Sequence, residues 1–178
     1  MGQSTFSGPV RSLSGFYSEG KNSVVDVPNG TASFTIGTTS GYDVVDYAGK
    51  LITLSDAAMT ITLPEISAAD PGDATDPGQL NNLGLIFRFM VTLDSTAMII
   101  NCGGSDVFVG GVYIAVDNTA NGRAQRSDGS DNTFTMNGST KGGDAGSYVE
   151  FEAAAALTWS VRGALLGSST PITPFTTV

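Results

Sequence analysis

The chain contains no histidine and a single cysteine, Cys102, among its 178 residues. Without histidine, the Ser-His-Asp and Cys-His nucleophile systems, a histidine general base and every imidazole metal site are excluded. A single cysteine excludes an intrachain disulfide and any multi-cysteine metal site. Because Ile99 and Ile100 stand just before Cys102, we expect the thiol to be buried and inert.

Positive charge is also scarce. The chain has 8 Lys and Arg residues against 17 Asp and Glu, which gives a formal net charge of −9. Nucleic-acid binding and attachment to anionic membranes both need clustered cations, which this sequence does not have. We therefore expect neither nucleic acid nor a membrane among its partners.

Long apolar segments are missing as well. The longest apolar-rich run, Leu83 to Leu93, contains Arg88 and is too short to cross a bilayer. The first residues have neither the cationic start nor the apolar stretch of a secretory signal peptide. We expect a soluble protein that is made in the cytoplasm.

What the sequence does contain is typical of short strands joined by turns. Hydrophobic residues make up 40% of the chain, enough for a core, and glycine is abundant at 23 residues. Charged residues, which cover the exposed faces of helices, make up only 14%. Residues 31–37 and 58–63 alternate apolar and polar side chains with the period of two of a half-buried strand. The predicted fold class is all-β, a single β-sandwich or jelly-roll-like domain.

Other segments complete this prediction. Residues 67–82, which contain two Asp-Pro-Gly units, and residues 117–132 are predicted as long loops. Trp159 shares one face with Leu157 and Val161, so packing in the core is favoured over a sugar-binding ring. No long-period repeat is apparent. Further strands are predicted at 23–27, 42–47, 50–54, 85–93, 98–101, 107–116 (split at Gly110-Gly111), 133–136, 148–152 and 157–161.

Residues 1–22 differ from the β-sandwich domain predicted over residues 23–178. They follow neither strand nor helix periodicity, yet they carry large apolar side chains at Phe6, Val10, Leu13, Phe16 and Tyr17. A purely disordered tail would not usually keep so many of them. We predict an extended N-terminal arm that docks on a partner; the alternative is an ordinary first strand packed on its own domain.

Carboxylates are the remaining candidates for chemistry. Asp70, Asp73 and Asp76 could form a weak Ca²⁺ site, but their spacing matches no known calcium loop, so a solvated acidic loop is favoured. Asp128 and Asp131 have the same interpretation. A carboxylate pair for glycoside hydrolysis stays open, because the separation that matters is spatial. We predict no catalytic residue, no cofactor and no metal site, and a protein that is not an enzyme.

An ordered series of short motifs runs between Leu51 and Gly163. The series resembles a pattern of small structural proteins of tailed phages. Two departures are the Ala153–Ala156 segment, where a DGT-type loop is usual, and the greater length of the 67–82 loop. In chain order the motifs are TITLP at 60–64, GLIFRF at 84–89, IIN at 99–101, DVFVGG at 106–111, YVEF at 148–151 and WSVRG at 159–163.

The resemblance implies a β-sandwich module of virions, which occurs in head decoration proteins and within tail-fibre or tailspike chains. We expect a capsid decoration (cement) protein on the outer surface of a phage head, where its acidity suits the face turned away from DNA. Its partners would be the major capsid protein and further copies of itself, with a homotrimer favoured.

The alternative is a tail-fibre or receptor-binding β module that recognises a host surface glycan or protein. We disfavour it at this stage, because the sequence has neither heptads nor β-helix repeats.

Overall fold

The structure, a computed structural model, describes residues 24–27, 30–37, 41–67, 82–117 and 121–178. Apart from one helical turn, the regular elements in these ranges are strands, so the all-β prediction is confirmed. No helix there is long and apolar enough to cross a membrane. The elements are β1 (Val24–Val27), β2 (Ser33–Thr35), α1 (Val44–Tyr47), β3 (Leu51–Leu54), β4 (Ala58–Thr62), β5 (Ile86–Val91), β6 (Ala97–Asn101), β7 (Val107–Val116), β8 (Arg123–Arg126), β9 (Thr133–Met136), β10 (Tyr148–Ala155), β11 (Thr158–Gly167) and β12 (Phe175–Thr176).

The strands form two sheets that enclose one core. Sheet A has seven strands in the order β1-β3-β5-β10-β11-β7-β8, and sheet B has five in the order β12-β9-β6-β4-β2. Both sheets are mixed, since parallel pairs such as β3 with β5 and β7 with β11 lie beside antiparallel pairs such as β5 with β10. The sandwich prediction is therefore confirmed, while the parallel pairs distinguish it from an antiparallel jelly roll.

The first six strands alternate between the sheets, so that the chain winds around the core in successive coils. Val24 pairs with Leu51 in sheet A and Ser33 pairs with Thr60 in sheet B, both in parallel and both 27 residues apart. The next coil is longer, because it includes the segment between β4 and β5. The coils share register and alternation rather than residue identities or a fixed length, which fits the absence of a long-period repeat in the sequence.

The core contains side chains from both sheets. Phe87, Phe89, Phe108, Phe151 and Trp159 point inward from sheet A and are fully buried or nearly so. Sheet B contributes Phe34, Ile61, Ile100, Phe134 and Phe175. The prediction that Trp159 is a core residue is confirmed. Cys102 is buried as predicted, and burial raises the pKa of its thiol far enough to keep it protonated.

Residues 42–47 do not form the predicted strand, because α1 begins at Val44. Tyr42 and Tyr47 are separated by an odd number of positions, so a strand would direct them to opposite faces. The helical turn instead brings both rings to Phe34, with centroid distances of 4.2 Å for Tyr42 and 6.3 Å for Tyr47. The apolar contact with Phe34 outweighs the β propensity of the segment.

The predicted loop at 117–132 contains strand β8, which pairs with β7 at the edge of sheet A. Strand β8 was missed because an edge strand can be held by backbone hydrogen bonds without an apolar face. The predicted split of residues 107–116 is also wrong, because β7 is continuous. Gly110 has φ +119°, and a Cβ there would collide with the carbonyl oxygen of Val161, so glycine preserves the strand rather than interrupting it.

The turn between β10 and β11 gives a first testable prediction. Leu157 has φ +58°, a left-handed conformation that costs a side chain about 1–2 kcal/mol, and it is half exposed. We expect Leu157→Gly to raise the free energy of unfolding by about 0.5–1 kcal/mol, because the strain exceeds the entropy cost of glycine. Thermal unfolding should show a Tm higher by about 1–4 °C. Leu93→Gly, at a similarly exposed position without positive φ, is the control and should lower the Tm. A lower Tm for both variants would contradict backbone strain at Leu157.

Candidate interaction surface

The predicted contact residues lie outside the part of the chain that the structure describes. These are Phe6, Val10, Leu13, Phe16 and Tyr17 of the arm, and their role stays a prediction. Asp70, Asp73 and Asp76, considered for a weak Ca²⁺ site, also lie outside the described residues. In the ranges that are described, no group of three or more Cys, Asp or Glu side chains could hold a metal ion.

The outer face of sheet A carries several exposed apolar side chains, and no second layer covers it in the part of the chain that the structure describes. Alternation along the strands directs Phe108, Val112 and Ile114 inward, and therefore directs Val109 and Tyr113 of the same strand outward. With Val24 on β1 and Leu166 on β11, these outward side chains are each between 41% and 51% exposed. Sequence analysis missed this surface, because an alternating pattern does not show that its second face is apolar too.

A row of ion pairs crosses the middle of this face. Register places Glu150 between Arg88 on β5 and Arg162 on β11. Arg88 Nε donates to Glu150 Oε2 at 2.8 Å, Tyr148 donates its hydroxyl to the same oxygen at 3.0 Å, and Arg162 contacts Glu150 Oε1. Arg162 also pairs with Glu152 at 3.1 Å. Cross-strand pairs of opposite charge stabilise a sheet.

These neighbours control the ionisation of Glu150. Only 6% of the residue is exposed, and burial by itself would raise the pKa of its carboxyl group. The hydrogen bonds from Arg88, Tyr148 and Arg162 outweigh that effect and hold the pKa below its usual value. Glu150 is therefore ionised at neutral pH and already largely removed from water. It is a structural charge with satisfied partners, unlike a poised general acid.

The outer face of sheet B has a different character. Ser33 and Thr35, Thr60 and Thr62, and Thr133 and Thr135 alternate with the core residues of β2, β4 and β9, respectively. Strand β6 contributes Ile99 and Asn101, and Thr133 donates to Asn101 Oδ1 at 3.0 Å. This surface is uncharged and rich in hydroxyl groups at these positions.

Asp106 is the most deeply buried carboxyl group described, at 1% exposure. Its Oδ2 accepts a hydrogen bond from the Ile66 backbone N–H at 2.8 Å and one from Trp159 Nε1 at 3.2 Å. Burial raises the pKa of Asp106, and the nearby Glu65 charge adds to that, although the two hydrogen bonds oppose it. These contacts join three separate segments at one end of the sandwich, which indicates a structural role.

The interpretation of Asp131 as a solvated loop residue is wrong. Asp131 is buried, and its Oδ2 accepts from the Ser127 hydroxyl at 2.8 Å and from the Asp128 backbone N–H at 3.0 Å. It folds the turn that follows β8, a common use of Asp side chains. Asp128 is exposed as expected, and hydrogen bonds from Ser130 lower its pKa.

One cleft lies between α1 and the ends of β4 and β6, with a volume of about 420 Å³. Gly37, Val44, Pro64, Gly103 and Glu65 are among the residues that line it, and Glu65 is the single ionisable side chain of the lining. One carboxylate offers neither the acid–base pair of a glycosidase nor a nucleophile with its base. The two sheet faces are therefore the stronger candidates for function.

No family model, curated protein or solved structure matches this chain.

Proposed function

We propose that this chain is a structural protein of a phage particle, a decoration protein that binds the outer surface of the head and stabilises the shell. The observation that carries the proposal is a rigid two-sheet domain with an apolar, ion-paired outer face, whose buried titratable groups are engaged in structural contacts. The series of phage-like motifs supports it, because each motif falls on a core strand or the turn beside it. Such a domain is suited to binding, and no enzymatic activity is proposed.

The partners proposed are the major capsid protein and further copies of the chain, with a trimer favoured. The domain would sit outside the shell while residues 1–22 cross a boundary between capsid subunits. Burial of the apolar arm side chains would favour binding, while the conformational entropy lost on ordering the arm opposes it. Affinity per copy is therefore modest, and linked arms within an oligomer increase it through avidity. The net charge of −9 suits a surface turned away from DNA.

A second candidate is a receptor-binding module of a tail fibre, directed at a host glycan or protein. The coils of parallel strands formed by β1 to β6 favour it, because solenoid-like coils stack end to end in elongated assemblies. Copy number separates the two candidates, since a decoration protein is present in hundreds of copies per particle and a fibre module in a few.

Deletion of residues 1–20 is predicted to abolish attachment while leaving the domain folded. These residues follow neither strand nor helix periodicity, whereas the strand pattern begins at residue 23, so we expect a soluble protein whose Tm changes by less than about 2 °C. Its occupancy on purified heads stripped of the natural protein should fall at least about tenfold, as expected when several buried apolar contacts are lost. Quantitative gel densitometry of sedimented heads measures that occupancy.

A matched pair of full-length variants separates the apolar anchors from arm length. Phe6→Ser with Leu13→Ser and Phe16→Ser should reproduce the deletion, whereas Ser7→Ala with Ser12→Ala should bind as the natural chain does. Full occupancy by the deleted chain would show that the arm is not the anchor. Unfolding or aggregation of the deleted chain would show that the arm belongs to the core of the domain.

A further inference from the structure

We propose that the outer face of sheet A is the surface through which copies of this chain associate. The inference rests on the proposed function, in which copies of the chain associate, and it can be tested in solution without any shell. Contact between the same face of two copies is isologous and gives a dimer, whereas a trimer requires contact between two different surfaces. The occupant of the face is a second copy of the chain.

The first argument is the distribution of exposed apolar side chains. Val24, Val109, Tyr113 and Leu166 lie on this one face, and the half-buried Leu51, Ile86 and Met90 lie between them. Equivalent positions on the outer face of sheet B carry mostly Ser, Thr and Asn, and their apolar residues are Ile99 and the small side chains of Ala58 and Ala97. These apolar side chains of sheet A lie on both sides of the row formed by Arg88, Glu150 and Arg162. Exposed apolar side chains around a paired charge are typical of an interface, whereas a hydroxylated face is typical of permanent contact with water.

The second argument is charge. The whole chain has a net charge of −9, so two copies repel each other over most orientations. The strands of the outer face of sheet A are the exception, because Arg88, Arg126 and Arg162 there balance Asp26, Glu150 and Glu152. The unbalanced carboxylates Asp117 and Asp144 lie at one edge of the face, beside Leu166. A neutral face is the one that two acidic copies can bring together at least electrostatic cost.

The third argument is area and the state of the buried charge. Seven strands about 4.8 Å apart make a face roughly 30 Å wide, which provides roughly 600 Å² or more. A stable interface buries about 800 Å² per partner, so a stable contact would use the whole face together with residues at its edges. Glu150 is already buried from solvent and paired with Arg88 and Arg162 of its own chain. Covering it with a second copy therefore adds little of the desolvation cost that usually penalises interfacial charges.

The test compares the natural chain with two double variants by sedimentation velocity over a roughly hundredfold range of concentration. Val109→Asp with Tyr113→Asp places charge on the outer face of sheet A. Ser33→Asp with Ala97→Asp makes the same change of charge at exposed positions of sheet B and serves as the matched control. Far-UV circular dichroism and thermal unfolding establish that both variants are folded.

We expect the natural chain and the sheet B variant to sediment as the same oligomer. The sheet A variant should dissociate toward the 18.2 kDa monomer, with a dissociation constant raised about thirtyfold or more, as for loss of interface hot spots. A monomeric natural chain would overturn the inference; if the sheet A variant then failed to bind heads, the shell would be the occupant. Undiminished association of the sheet A variant, or equal dissociation of the sheet B control, would also overturn it. Absence of the protein from phage particles would reject the proposed function alone.

Discussion

Phe151→Ala is expected to lower the free energy of unfolding by about 3–5 kcal/mol, a large part of the roughly 5–15 kcal/mol typical of a domain. Phe151 is fully buried on β10, and its ring lies 5.9 Å from Phe89, 5.2 Å from Phe108 and 5.6 Å from Phe134. Phe89 and Phe108 belong to sheet A, whereas Phe134 belongs to sheet B, so Phe151 connects the two layers. The substitution removes three aromatic contacts and leaves a cavity that both rigid sheets would have to move to fill.

Chemical denaturation monitored by Trp159 fluorescence measures this loss. Leu93→Ala is the control, because it also shortens a large apolar side chain but at a position that is 48% exposed; its cost should stay below about 1 kcal/mol. A cost for Phe151→Ala as small as that of the control would show that the two sheets do not pack through this ring.

Asp106→Ala is expected to lower the free energy of unfolding by about 2–4 kcal/mol, although it removes a buried polar group. The variant leaves the Ile66 N–H and the Trp159 Nε1–H without their described acceptor, and each unsatisfied buried donor costs about 1–3 kcal/mol. Glu65→Gln, at a nearby exposed carboxyl group, is the control and should change stability by less than about 0.5 kcal/mol. If the Asp106→Ala variant were as stable as the natural chain, the structural role of Asp106 would be contradicted.

Asp106→Asn tests the same site through pH. The pKa of Asp106 in the folded chain lies above the 3.8 of an exposed Asp, so between the two values the folded state binds more protons than the unfolded state. Stability from this group is therefore greatest at acidic pH and is lost as the pH rises through the folded pKa. The Asn variant lacks this titration. Its stability relative to the natural chain should increase as the pH is raised from below 3.8 to neutrality, and the opposite slope would contradict a raised pKa.

The strands that could be predicted from the sequence are those in which polar and apolar side chains alternate. Residues 58–63 alternate partly exposed threonines with buried apolar side chains, and residues 133–136 alternate threonine with buried apolar side chains, so period two alone identifies both segments as strands. Burial of Trp159 and Cys102 followed from the same local pattern. The local pattern of side chains is sufficient to predict a strand when one of its faces is polar and the other is buried in the core.

The features that could not be predicted depend on partners distant in sequence. The helical turn α1 is fixed by contacts of Tyr42 and Tyr47 with Phe34, and β8 is fixed by backbone pairing with β7. The coiling of β1 to β6 is a property of register, which the residue types do not reveal. Burial of Asp131 follows from a turn that brings Ser127 back to it. Each of these features is determined by contacts between residues that do not share a local periodic pattern, and such contacts cannot be deduced from a single sequence.

The candidate surfaces were predictable only in part. The arm with Phe6, Val10, Leu13, Phe16 and Tyr17 was predicted as the anchor from composition and lack of periodicity, and that prediction remains to be tested by deletion. The outer face of sheet A was not predicted, because its exposed residues come from strands far apart in the chain, with Val24 on β1 and Leu166 on β11. Only the order of strands in the sheet shows that they share a surface.

Copy number in purified phage particles tests the central claim most directly. Quantitative mass spectrometry with isotope-labelled peptides of this chain and of the major capsid protein gives their molar ratio. The proposed decoration function predicts hundreds of copies per particle, in a fixed ratio to the capsid protein, released from intact heads by mild denaturant. A few copies per particle that remain with isolated tails would contradict decoration and support the fibre alternative, and complete absence from particles would contradict both.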